Sequence, residues 1–173
     1  MTTISVKNLS LEHTNDMIAH YINLSQEDKQ ARFMYRASEE NITNYVKGLD
    51  KINFSSGRVF GAFYSGGDFK VNPILIGVAH LAIVDDKVVE ISLSVDSRYR
   101  RLGCGSMLMN QLITRTQEIG YSKVKLSCLS INRAMVTLAI KTGFTMKSTD
   151  RSTSEGFLDL SHFKQKSLII ANN

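Results

Sequence analysis

Along residues 87–95 apolar and polar positions alternate. Val89, Ile91, Leu93 and Val95 share one face of an extended segment, and Glu90, Ser92 and Ser94 share the other. The run before it, residues 74–84, is rich in apolar and β-forming residues, and Asp85-Asp86 between the two predicts a hairpin. With those two residues as the turn, Leu81 faces Glu90 and His80 points the other way. Downstream the period lengthens. Residues 106–119 predict a helix with Leu108, Leu112 and Ile119 turned inward, 123–128 a strand, and 131–142 a helix carrying Ile131, Met135, Leu138 and Thr142 along one stripe. Gly143 ends that helix, and 144–147 with 156–160 form a last pair of strands.

Upstream, residues 3–6 read as a short strand and 11–24 as a helix with Met17, Ile18, Tyr21 and Leu24 on one face. Ser25-Gln26-Glu27-Asp28 and Ser38-Glu39-Glu40-Asn41 each pair a capping serine with acids in the first turn, so two more helices start there, the second ending near Gly48. Residues 58–64 form a strand, and 65–73, with two glycines and the only proline (Pro73), a loop. The order is β, helices, β-β-β, then α-β-α-β-β. It predicts a three-layer α/β (α+β) domain: a central mixed, mainly antiparallel sheet with helices on both faces. Residues 1–173 are expected to be one domain, with 164–173 a last strand or a flexible tail.

Composition narrows the function classes. At 173 residues the chain can bury a real core. It has no apolar run of membrane-spanning length and does not begin like a secretion signal. Two cysteines, Cys104 and Cys128, make no disulfide framework and match no zinc spacing, so a reducing, cytoplasmic setting without a metal is expected. The net charge of +5 is scattered, apart from Arg98-Tyr99-Arg100-Arg101, and no aromatic-rich basic stripe points to nucleic acid.

The stretch Arg100-Arg101-Leu102-Gly103-Cys104-Gly105-Ser106 lies between the alternating strand and the next helix. A glycine-bearing turn that opens a helix aims several backbone N–H groups at one place, and the macrodipole and arginines add positive charge. That is a pocket for a phosphate or diphosphate. The spacing fits neither G-x-x-x-x-G-K-[ST] nor G-x-G-x-x-G, where the last glycine would be Leu108. Glycines also end loops for backbone reasons alone.

Three features in order resemble the GNAT superfamily of acyl-CoA-dependent N-acyltransferases. The hairpin feeds a strand ending Ile91-Ser92-Leu93-Ser94-Val95; the loop 100–105 fits [RQ]-x-x-G-x-[GA]; and Asn132, Leu138, Lys141, Gly143 and Phe144 resemble N-x-x-A-x-x-L-Y-x-K-x-G-F. The resemblance implies acetyl-CoA as cosubstrate, with its pantetheine arm in a gap opened by a bulge in the strand, contacted by Leu93, Ser94 and Val95. It implies a diphosphate cradled by Arg100, Arg101, Leu102, Gly103, Cys104, Gly105 and Ser106, and Asn132 touching pantetheine or holding the second crossover helix. No metal is implied. The family's tyrosine, which protonates the leaving thiolate, falls at Ala139, and Met135 stands where a small residue is usual. Glu90 occupies a position that often serves as base.

The implied reaction is acetyl transfer to a primary amine by direct attack in a ternary complex, with Glu90 as base. Acceptors range from small amines to protein lysines and N-termini. The segment from Leu24 to Phe33, with Ser25, Glu27 and Arg32, is similar to a stretch of the subgroup that includes bacterial protein-lysine acetyltransferases. Ala139 leaves a second reading open, a non-catalytic acyl-CoA-binding sensor or scaffold. A monomer or a homodimer is expected. Of the remaining residues, His13 and His20 are expected at the surface and His80 in the core or at an edge. Cys104 and Cys128 are expected to pack, although a thiol at a helix N-terminus can be acidified. Asp150 and Glu155 are expected as turn residues.

Overall fold

The computed structural model describes residues 3–50, 54, 56–66 and 72–161. Seven strands form one sheet in the order β1-β2-β3-β4-β5-β7-β6. They are β1 (Thr3–Asn8), β2 (Val59–Ser65), β3 (Ile74–Ile83), β4 (Val88–Val95), β5 (Lys123–Leu129), β6 (Thr145–Ser148) and β7 (Thr153–Asp159). β4 and β5 run parallel and every other neighbouring pair antiparallel. The sheet is thus mixed and mainly antiparallel, as its pattern predicts.

Helices cover both faces. α1 (Thr14–Asn23), α2 (Gln26–Phe33) and α3 (Glu39–Asp50) lie on one. There Met17, Tyr21, Ile42 and Val46 pack with Val59 and Val78. α4 (Cys104–Glu118) and α5 (Arg133–Lys141) lie on the other, where Leu108, Met109 and Leu112 pack against Val89, Ile91 and Leu93. The alternation in β4 therefore separates a greasy side under α4 from a polar side under α1 and α2. No helix among the described residues is long and apolar enough to cross a membrane.

Several expectations change. α4 begins at Cys104, not Ser106, because Gly103 adopts φ +81° and serves as its N-cap. A single turn of 3-10 helix at Leu11–His13 precedes α1. Ile131 precedes α5 instead of joining its inner stripe, and is 80% exposed. His20 is buried, with Nε2 2.9 Å from Ser94 Oγ. Glu155 lies on β7 and pairs with Lys125 at 3.1 Å. Residues 67–71 of the predicted loop, and residues 164–173, lie outside the described residues.

The β3–β4 register is one residue away from the two-residue turn. Ala82 faces Glu90, and His80 faces Ser92. Side chains directly opposite share a face, so His80 lies on the same side of the sheet as Glu90. The cause is local. Asp85 accepts hydrogen bonds from the N–H groups of Lys87 (2.8 Å) and Val88 (2.9 Å), which widens the connection.

Candidate active site

β4 and β5 are paired only from Val88 to Glu90, against Lys123 to Lys125. Beyond Glu90 they part. The implied bulge in β4 is absent: its pairing with β3 keeps one register from Val89 to Val95. The register shift in this part of the sheet lies instead between β2 and β3, at Ala62/Phe63. The parallel pair simply ends.

The ladder tells which main-chain groups face the opening. Asp96 N–H donates to Ile76 O (2.9 Å) and Val84 N–H to Val88 O (3.0 Å), so the even-numbered positions of β4 exchange bonds with β3. The N–H and C=O groups of Leu93 and Val95, past the last bridge between Glu90 and Lys125, therefore point toward the side that β5 has left. These are unpaired strand edges inside a cleft, the chemistry that binds an extended amide-containing chain.

A cavity of about 340 Å³ lies at this opening. Leu93, Ser94 and Val95 line it, as do Arg100, Arg101, Gly103, Cys104, Gly105, Ser106 and Asn132. Of the predicted cofactor-binding residues only Leu102 does not; its side chain is exposed. A smaller cavity of about 20 Å³ continues between Ile91 and Leu93 of β4 and Leu126 and Cys128 of β5.

The loop between β4 and α4 is shaped for an anion. Arg101 (φ 62°) and Gly103 (φ +81°) both sit in the left-handed region, and a Cβ on Gly103 would meet nothing within 4 Å. Met107 N–H closes the first turn on Gly103 O (3.0 Å), and Gly103 supplies no capping side chain. The N–H groups at the start of α4 thus have no acceptor in their own helix. An anion there gains these donors and the positive end of a four-turn helix.

Arg100 does not act as a free charge. Its guanidinium donates to Asp28 of α2, a buried carboxylate that also accepts from Ser97 N–H at 3.3 Å. This pairing ties α2 to the loop and closes one wall of the cavity. Asp28, Ala31 and Arg32 of α2 are cavity residues that the motifs on β4 and the loop do not contain. The segment from Leu24 to Phe33 is their signal in the sequence. Asn132 Oδ1 accepts from Met135 N–H at 3.1 Å, so this side chain caps α5 while lining both cavities.

Glu90 lines neither cavity. It is half-buried at the last paired position before the fork, and Ser127 Oγ donates to its Oε1 at 3.2 Å. His80, now on the same face, has its Nε2 shielded from water without a hydrogen-bond partner. Burial, reinforced by the charges of Arg32 and Arg58, pushes its imidazole down to about 4, so it is neutral near pH 7.

Neither cysteine is activated. Burial pushes Cys104 up to about 11 and pushes Cys128 up as well. Among the described residues no three of His, Cys, Asp and Glu are grouped to hold a metal ion. Ala139 is fully buried in the core and lines neither cavity. Ala139→Tyr is therefore expected to overpack that core and lower stability by about 1–3 kcal/mol. Thermal unfolding checks this; an unchanged midpoint with faster turnover would show that position 139 reaches the reacting atoms.

A model of the acetyltransferase (GNAT) family matches residues 20–144. The GNAT domain of PAT from S. lividans superposes with a TM-score of 0.69 at 17% identity, covering 90% of this chain and 89% of that one. An N-acetyltransferase from Staphylococcus aureus Mu50 gives 0.66 at 17%, covering 91% and 99%. The paiA N-acetyltransferase of Thermoplasma acidophilum, in complex with coenzyme A, gives 0.65 at 20%, also covering 91% and 99%. At these identities the likeness is one of fold.

Proposed function

Since this chain belongs to the acetyltransferase (GNAT) family of transferase enzymes, we propose that it moves the acetyl group of acetyl-CoA to a primary amine by direct attack in a ternary complex. The described chain acts as one catalytic domain. The observation that carries this reading is the parting of β4 from β5 beyond Glu90, beside the N-terminus of α4, which has no capping side chain, with a cavity lined by both.

The residues fit an acyl-CoA. Bound there, it supplies a thioester already activated toward a nitrogen nucleophile. The amides from Arg101 to Ser106 grip the diphosphate, with the Arg101 charge at the rim. Arg100 holds Asp28 and so positions α2. The main-chain groups of Leu93 and Val95 take the pantetheine arm as an added strand would be taken, and the strand amides there polarise the carbonyl. Ser94, bonded to His20, fixes the polar side of β4. Asn132 holds the start of α5 against the arm.

The acceptor arrives as an ammonium ion near neutral pH, and only the free amine attacks. Glu90, at the fork, takes that proton directly or through water. His80 is a second candidate through its unpartnered Nε2 on the same face, and a weaker base, because burial lowers its imidazole to about 4 and it lines neither cavity.

CoA release measured with a panel of primary amines tests the activity. Tight CoA binding with no turnover on any amine would favour a sensor instead. Glu90→Gln is expected to lower kcat by about 100-fold near neutral pH, with recovery under alkaline conditions where the acceptor loses its proton unaided. The pH–rate profile checks it. An unaltered profile would remove Glu90 as base and move the role to His80, which His80→Gln then tests in the same assay.

A further inference from the structure

Among the described residues, the buried side-chain polar atoms without a hydrogen-bond partner are Tyr21 Oη, Arg32 Nε and His80 Nε2. They belong to one neighbourhood on the α1–α2 side of the sheet. The Arg32 guanidinium lies 5.6 Å from the ring centre of Tyr21, 5.1 Å from that of Phe33 and 5.0 Å from that of Tyr45. His80 lies within reach of its charge.

Arg32 donates to Tyr45 Oη and has no carboxylate partner among the described residues. The acid one turn earlier on the same helix, Asp28, is taken by Arg100 and Ser97 N–H. Aromatic faces soften the cost of burying a cation but carry no net charge. A guanidinium does not shed its proton, and buried charges are as a rule paired. Nε–H and the tyrosine hydroxyl are donors, and the imidazole can donate as well. The cluster offers the cation only neutral acceptors, such as Tyr45 Oη, and among the described residues no negative charge, which a carboxylate supplies.

Position completes the argument. Arg32 lines the large cavity and also the small one between β4 and β5. On the acyl-transfer reading, which this inference rests on, the reacting groups meet beside the residues that the two cavities share, Arg32 among them. We propose that Arg32 binds a carboxylate there, borne either by the amine acceptor or by the transferred acyl group. The acceptor class is then amino acids or carboxylate-ended peptides. If the acyl group carries the acid, the donor class is dicarboxylic acyl-CoA.

Titration calorimetry on the full chain tests both sources. In one arm the CoA-loaded protein is titrated with amino acids and dipeptides, each against its C-terminal amide. In the other, succinyl-CoA is compared with acetyl-CoA. One arm is expected to favour the carboxylate by about 100-fold, since the amide leaves the fork half-paired and uncharged. Arg32→Gln removes the preference, and Arg32→Lys, which keeps charge without the planar fork, retains part of it. The wild-type comparison needs no variant to fold. Equal affinities in both arms, or a preference that survives Arg32→Gln, overturn the proposal. Failure of the wild-type protein to bind any CoA overturns the acyl-transfer reading itself, whereas CoA binding without carboxylate preference overturns only this one.

Discussion

Gly105→Val is expected to keep the fold and lower CoA affinity about 100-fold. Gly105 is the second residue of α4, and a Cβ there would meet only Leu138 Cδ2, at 3.4 Å. Valine suits a helix slightly better than glycine, so the helix itself does not suffer. Gly105 and Leu138 both line the large cavity, however, and a branched side chain takes up room the diphosphate needs. Losing two charge-assisted hydrogen bonds costs about 3 kcal/mol, which is the hundredfold. Gly103→Val differs in a telling way. At φ +81° a β-branched residue is strained, so this variant is expected to lose about 1–3 kcal/mol of stability along with affinity. Calorimetric CoA affinity and thermal unfolding, measured on both variants, separate the effects. Unchanged affinity in Gly105→Val would remove the loop from its role.

The second large effect is acid lability between pH 6.5 and about 4. Burial lowers His20 from 6.5 to about 4, against a raising influence of Asp96. Burial with the nearby arginines does the same to His80. In the unfolded chain each takes a proton near 6.5, and in the fold not until about 4. Their contribution is complete above pH 6.5 and is lost as pH falls through this window. For each histidine the gap corresponds to on the order of 3 kcal/mol. Two such terms are a large part of an ordinary domain's stability. Burial pushes Asp96 up, but hydrogen bonds from Arg98 outweigh it and hold the carboxyl low, so its contribution is lost at still lower pH. Urea midpoints at pH 7.5 and 4.5 test this. His80→Gln is expected to remove about half of the dependence, and a wild-type midpoint that stays flat would contradict it.

The fold was largely legible because its elements advertise themselves locally. The alternation of β4 gave the faces of Glu90 and Leu93 correctly, and Asn132 and Gly143 bracket α5 as cap and stop. The register of His80 was not legible. It depends on whether Asp85 bonds forward to Lys87 and Val88, a side-chain choice invisible to an apolar–polar pattern. The burial of His20 was equally hidden, since only the packing of α1 onto β4 brings it to Ser94.

Residue order alone determined the strands and helices, the glycine cradle after β4, and the family to which the chain belongs. Each rests on interactions within a few residues: side-chain period, helix-end chemistry, and the freedom of glycine. Only the tertiary structure decided where β4 leaves β5, that Arg100 is held by Asp28 from 72 residues away, and that Arg32 has no acid of its own among the described residues. Those are long-range pairings, fixed by which surfaces exclude water together, and a local pattern carries no record of them.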